Sequence, residues 1–152
     1  MKITGILLTS FLSLTLLHGI HAATADADHV TVSAYNTLTY SPSEIVAHPG
    51  QKVVLTFKNE STLPRSAMAH DWVLLRAGAD VKAYANVAMT DCADDHIPKS
   101  LAKEVLVSIP MLGPLESRTV TFTAPTVPGS YPYLCSCPGH SQGGMKGVLI
   151  VK

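Results

Sequence analysis

Alternation of apolar and polar residues with a period of two runs through most of the chain beyond residue 26. Val30/Val32, Val53/Leu55/Phe57, Val120/Phe122 and Val148/Ile150 each set apolar side chains on one face of an extended segment, the pattern of half-buried strands. Turn-forming clusters separate these segments: Ser41-Pro42-Ser43, His48-Pro49-Gly50-Gln51, Gly113-Pro114 and Val127-Pro128-Gly129. Short strands at this spacing predict an all-β domain, a two-sheet sandwich or barrel. One interruption lies between Gly78 and Ala102, where Val81, Tyr84, Ala85 and Ala88 recur at helical spacing before a polar stretch from Thr90 to His96. It predicts a short helical flap outside the sandwich.

The first 25 residues follow another rule. Lys2 precedes the apolar run from Ile6 to Leu17, and small residues follow it, the layout of a secretory signal peptide. The run is shorter than the roughly 20 residues a membrane span needs. The expectation is a signal at 1–25, cleaved after about residue 22–25, and a single soluble domain over 26–152 that works in the periplasm without stable membrane insertion. Removing Lys2 from eleven basic residues leaves ten against eleven acidic ones. A chain so close to neutral offers no charge run for nucleic acid or anionic lipid.

Three cysteines, Cys92, Cys135 and Cys137, are an odd number, and in an exported protein thiols are normally paired or ligated. At least one therefore has another task. Near the C-terminus, Cys135, His140 and Met145 fall within eleven residues, around Pro138-Gly139 and Gly143-Gly144 and between two strand-like segments. A compact loop held at both ends by strands can aim a thiolate, an imidazole and a thioether at one centre. His70, at the start of the segment His70 to Leu75, alternates with Trp72 and Leu74 and so faces the core; Tyr131, Tyr133 and Cys135 share a face in the same way. One Cys and two His with a weak axial Met describe a blue-copper site, whereas structural zinc usually takes four strong donors.

These residues also resemble a known family. Met68-Ala69-His70-Asp71-Trp72-Val73-Leu74, the helical flap after it, the Cys-x4-His spacing from Cys135 to His140, Pro138-Gly139 and the closing Met145-Lys146-Gly147 with its strand are similar to the cupredoxins of the azurin and auracyanin branch. The resemblance covers nearly all of residues 28 to 152. It implies a Greek-key sandwich (the cupredoxin fold) and one copper ion held by His70, Cys135 and His140. Met145 would be the axial ligand, and the Ala69 carbonyl, at a position where azurins usually have Gly, would approach from the other side. It implies one-electron Cu(I)/Cu(II) cycling without enzymatic turnover. Redox partners such as c-type cytochromes or respiratory enzymes would dock on an apolar rim of Leu63, Met68, Cys137, Pro138 and Gly139.

Four residues separate His140 from Met145, as in plastocyanins, where azurins have three. Asp71 stands where an Asn commonly ties the ligand loops together, with Ser136, Cys137 and Pro138 forming the near surroundings. Asp71 can accept hydrogen bonds there, and its charge would favour oxidised copper. Cys135 and Cys137 point to opposite faces of an extended segment, so Cys137 is expected to bind Cys92 in a disulfide instead of the metal. Three other functions share part of this pattern: a copper carrier or storage protein, an enzyme with an open copper, and a structural zinc domain.

Overall fold

The computed structural model describes residues 29–88 and 97–152. The expected signal at 1–25 and Cys92, with its expected bond to Cys137, lie outside the described residues. Nine strands form two sheets: β1 His29–Tyr35, β2 Thr39–Ser41, β3 Glu44–Ala47, β4 Lys52–Asn59, β5 His70–Leu75, β6 Val105–Leu112, β7 Ser117–Thr123, β8 Gly129–Leu134 and β9 Lys146–Val151. The first sheet runs β2-β1-β4-β7 and the second β3-β9-β8-β5-β6. Most neighbours are antiparallel, but β1 pairs in parallel with β4, and β3 with β9. Chain-distant strands become neighbours in this way, as the expected Greek-key sandwich requires.

Alternation explains the core. Val30 and Val32 of β1 and Val53, Leu55 and Phe57 of β4 face Trp72, Leu74, Tyr131, Tyr133 and Leu149 of the other sheet. Each such side chain contributes about 1.5–3 kcal/mol through burial. In β9 the phase differs from the expected one. Leu149 and Val151 enter the core, and Val148 and Ile150 lie half-buried on the outer face. The run Val148 to Val151 is apolar throughout, so periodicity alone could not choose its inner face.

The flap is a short helix, α2 (Val81–Ala88), and a 3-10 helix, Lys99–Glu104. The Asp80 carboxylate accepts the Ala83 amide at 2.9 Å and so caps α2. Tyr84, Ala85 and Ala88 pack on Val73, Leu75 and Leu134. The flap thereby seals the outer face of β5, which is buried at every position. The expectation that His70, Trp72 and Leu74 point inward holds, but Val73 and Leu75 are covered as well.

A further helical turn, α1 (Arg65–Met68), precedes β5. Asn59, at the end of β4, holds it in place. Its side-chain amide donates to the carbonyls of Met68 at 2.8 Å and Leu112 at 3.1 Å, while its carbonyl accepts the Ser61 amide at 2.9 Å. One buried side chain thus joins the first sheet to both segments that flank the start of β5.

Candidate metal centre

Strand ends from one sheet deliver three donors. His70 opens β5, Cys135 directly follows β8, and His140 lies in the loop that leads to β9. The chain between Cys135 and Met145 is tied to itself. Met145 accepts the Cys135 amide at 3.1 Å through its carbonyl and donates its own amide to His140 at 3.0 Å, and the His140 amide bonds Cys137 at 3.1 Å. The four residues between His140 and Met145 close in the same manner, with Gly143 donating to Gly139 at 2.8 Å and Gly144 to Ser141 at 3.1 Å. Gly144, at φ 114°, takes a conformation that side chains disfavour.

The donor atoms of His70, Cys135 and His140 all lie within 4.8 Å of one another and are buried. The two Nδ1 atoms are 3.1 Å apart, and the Cys135 sulfur is 3.5 Å from Nδ1 of His140 and 4.0 Å from Nδ1 of His70. The point equidistant from the three atoms is about 2.1 Å from each, within the roughly 2.0–2.3 Å that nitrogen and sulfur donors keep from a first-row metal ion. Nδ1 is the His70 nitrogen that these distances set toward the other donors, while its Nε2 is buried without a hydrogen-bond partner among the described residues. Met145 is fully buried in the same cluster as Cys135. A thiolate, two imidazoles and an adjacent thioether fit copper by donor softness.

Electrostatics prepare these groups for a cation. Burial pushes the Cys135 thiol well up, and the Asp71 carboxylate adds to this; the backbone amides of Asp71 and Cys137 act in the opposite sense by hydrogen-bonding the sulfur. A bound cation is what makes the thiolate favourable there. Burial, and then His140, push His70 down to about 4, and burial also lowers His140. Both rings are therefore neutral at pH 7, with lone pairs to offer.

A pH dependence follows for the metal-free protein. Below about pH 6.5 an unfolded imidazole takes up a proton that folded His70 refuses until about pH 4. The unfolded state then binds more protons, so stability falls as pH falls through this window, by up to about 3 kcal/mol for His70 alone. Urea unfolding of the metal-free protein from pH 7 to pH 4 should show the decline. A flat metal-free profile would contradict it.

Asp71 bonds Ser136 across the two strand ends. Its carboxylate accepts the Ser136 amide at 2.7 Å and also a short bond from the Ser136 hydroxyl, which fixes the residue after Cys135 to the residue after His70. Burial raises the Asp71 carboxyl, and the Ser136 bonds pull it back down. Cys137 is half-buried against the core, and Pro138 and Gly139, next before His140 in the chain, are exposed. Ala69 is buried, with extended backbone, and its amide donates to Arg65 at 3.1 Å. Leu63 is 42% exposed and Met68 half-buried on the neighbouring turn.

Two residues that bear on the site escaped the sequence reading: Asn59, and Tyr40, whose hydroxyl donates to the Asp71 carbonyl at 2.6 Å. The Asn59-Glu60-Ser61 turn carried a weak signal for the first. Nothing in the sequence marks the partner of the second.

Residues 27–152 match the family of copper binding proteins described as the plastocyanin/azurin family. The chain is similar to auracyanin-B of Chloroflexus aurantiacus, 36% identical over 120 residues that make up 78% of this chain and 49% of that one. It thus spans about half the length of that relative. Azurin of Pseudomonas chlororaphis is 29% identical over 81% of this chain and 97% of its own. Among solved structures, dithionite-reduced auracyanin from Roseiflexus castenholzii superposes with a TM-score of 0.72 at 34% identity, covering 84% of this chain and 98% of that one.

Proposed function

The chain belongs to the plastocyanin/azurin family of copper-binding proteins, its cofactor is one copper ion, and from that premise we propose that it is an exported type 1 copper protein that carries single electrons between larger redox proteins. His70, Cys135 and His140 would hold the metal strongly and Met145 weakly, with the Ala69 carbonyl as a further contact. The observation that carries this reading is the buried triangle of two Nδ1 atoms and one sulfur. Bound copper supplies a one-electron Cu(I)/Cu(II) couple.

The protein's own residues supply the rest. Strand ends and a self-bonded loop hold the donors in one arrangement, so a change of charge meets little rearrangement. Burial of His70, Cys135 and Met145 keeps water away. His140, at 6% exposure, is the most exposed of the four ligands and follows the exposed Pro138 and Gly139; it is assigned as the electron's exit. Leu63, Met68, Pro138 and Gly139 form the rim on which c-type cytochromes or respiratory enzymes would dock, in encounters that bury less than about 1,200 Å². Residues 1–25 would direct export to the periplasm, with cleavage after about residue 22–25. Among the described residues no helix is long and apolar enough to cross a membrane.

Optical and electron-spin-resonance spectra of the copper-loaded protein, followed by voltammetry, test the reading. The expected result is an intense visible thiolate-to-copper band, a reversible couple and slow copper exchange. Rapid copper release would make it a carrier or storage protein, catalytic turnover an enzyme, and zinc in periplasmic material a structural zinc domain.

Asp71→Asn is expected to raise the potential. A carboxylate beside the thiolate stabilises the more positive copper state; at an effective dielectric near 20 its removal is worth on the order of 100 mV. An unchanged potential would show that the Asp71 charge has no such influence.

A further inference from the structure

We infer that Tyr40 is a positioning residue of the metal centre, whose hydroxyl reaches across from the opposite sheet to clamp the backbone of Asp71 beside the Cys135 sulfur. The inference rests on the copper reading given above. It begins from an irregularity in β5. The register between β5 and β6 shifts between His70 and Trp72, and pairing with β8 starts only at Val73. Asp71 therefore has no register partner on either side. Bulges of this kind re-aim groups next to functional sites.

Both ends of the released Asp71 residue are used. Its amide lies close enough to the Cys135 sulfur to lower that thiol, and its carbonyl accepts the Tyr40 hydroxyl at 2.6 Å. The residue before it is His70 and its carboxylate holds Ser136, so a fixed Asp71 backbone fixes two ligand-bearing segments. Tyr40 can serve as an anchor because its ring is itself immobile. It is 5% exposed, edge-on to Phe57 at 6.0 Å and tilted against Tyr133 at 5.5 Å.

An amide pointed at a thiolate withdraws charge from it and favours the reduced metal. The Asp71 amide belongs to the peptide shared with His70 and its carbonyl to the peptide shared with Trp72, so the Tyr40 bond acts on that donation by holding the Asp71 backbone in place. Loss of the Tyr40 hydroxyl should therefore weaken the amide-to-sulfur bond and lower the potential. Tyr133 offers an internal comparison. It is also a buried tyrosine, but its hydroxyl donates to Pro42 at 3.0 Å, away from Asp71. A buried tyrosine with a merely structural role would behave as Tyr133 does.

The experiment compares Tyr40→Phe with Tyr133→Phe in the copper-loaded full chain by voltammetry and absorption, and in the copper-free protein by hydrogen exchange at the Asp71 amide. Tyr40→Phe is expected to shift the Cu(II)/Cu(I) preference about tenfold, a fall of about 59 mV, to move the thiolate-to-copper band and to speed Asp71 exchange. Tyr133→Phe should lower stability and leave all three unchanged. Equal losses of stability with wild-type potential, band and exchange in Tyr40→Phe would overturn the inference. If the wild type shows no reversible copper couple, the copper reading fails, and Asp71 exchange in the copper-free variants still decides the clamp. Should Tyr40→Phe not fold, a ring-fluorinated tyrosine at position 40, a stronger donor, should raise the potential; no change would refute the clamp.

Discussion

Replacing Cys135 with Ser is expected to abolish the visible charge-transfer band and to weaken copper binding by more than the roughly 10–100-fold that follows loss of an outer hydrogen-bond partner. The reason is chemical. Cys135 is wholly buried, and its sulfur, 3.5 Å and 4.0 Å from the two Nδ1 atoms, is the only anionic donor of the triangle. A serine hydroxyl has nearly the same shape, but it resists ionisation far more strongly and is a harder donor. The variant should therefore keep the fold of the metal-free protein while losing the soft bond that selects copper. Copper titration followed by absorption reads the loss directly. A band of wild-type intensity in Cys135→Ser would move the thiolate assignment to Cys137, and Cys137→Ser would then lose the band.

Much of this centre was legible before any coordinates. Cys135, His140 and Met145 lie in one loop between two strands, so local spacing already dictates their convergence. His70 comes from elsewhere, but strand alternation with Trp72 and Leu74 placed it on the core side, and the structure puts it there. The remainder depends on which surface covers a given strand face, and a period of two does not carry that information. Hence β9 presented two possible inner faces, and the second covered face of β5 became visible only with α2 in place. Tyr40 and Asn59 belong to the same class. Each is a polar group whose partner sits far along the chain, 31 residues away for Tyr40 and 53 for the Leu112 carbonyl bonded by Asn59. A bulge that frees one peptide leaves no trace in hydropathy.

The same limit makes Gly147 look ordinary in sequence, as the hinge between Met145-Lys146 and an apolar strand, although Gly147→Ala is expected to be among the most damaging single substitutions in the domain. Gly147 pairs across the sheet with Tyr133. A Cβ added there would overlap the Tyr133 ring and hydroxyl on one side and the Ser43 carbonyl on the other. Glycine inside a strand often marks such a close approach. Neither obstacle can yield easily. The Tyr133 ring lies between Tyr40 at 5.5 Å and Trp72 at 5.4 Å, with its hydroxyl bonded to Pro42. The Ser43 carbonyl accepts the Val148 amide at 2.9 Å, beside the parallel pairing of β3 with β9. Overpacking usually costs 1–3 kcal/mol, and with both neighbours pinned the cost here should reach about 3 kcal/mol or more. That is a large part of the roughly 5–15 kcal/mol that holds a domain folded. Urea unfolding of the copper-free variant measures it, and a midpoint equal to wild type would contradict the close approach. The displacement also reaches the metal: a β9 pushed off Tyr133 carries Met145, two residues upstream, with it. The copper-loaded variant should accordingly show an altered band even where enough of it folds to bind the ion, which links packing beneath the loop to tuning of the site above it.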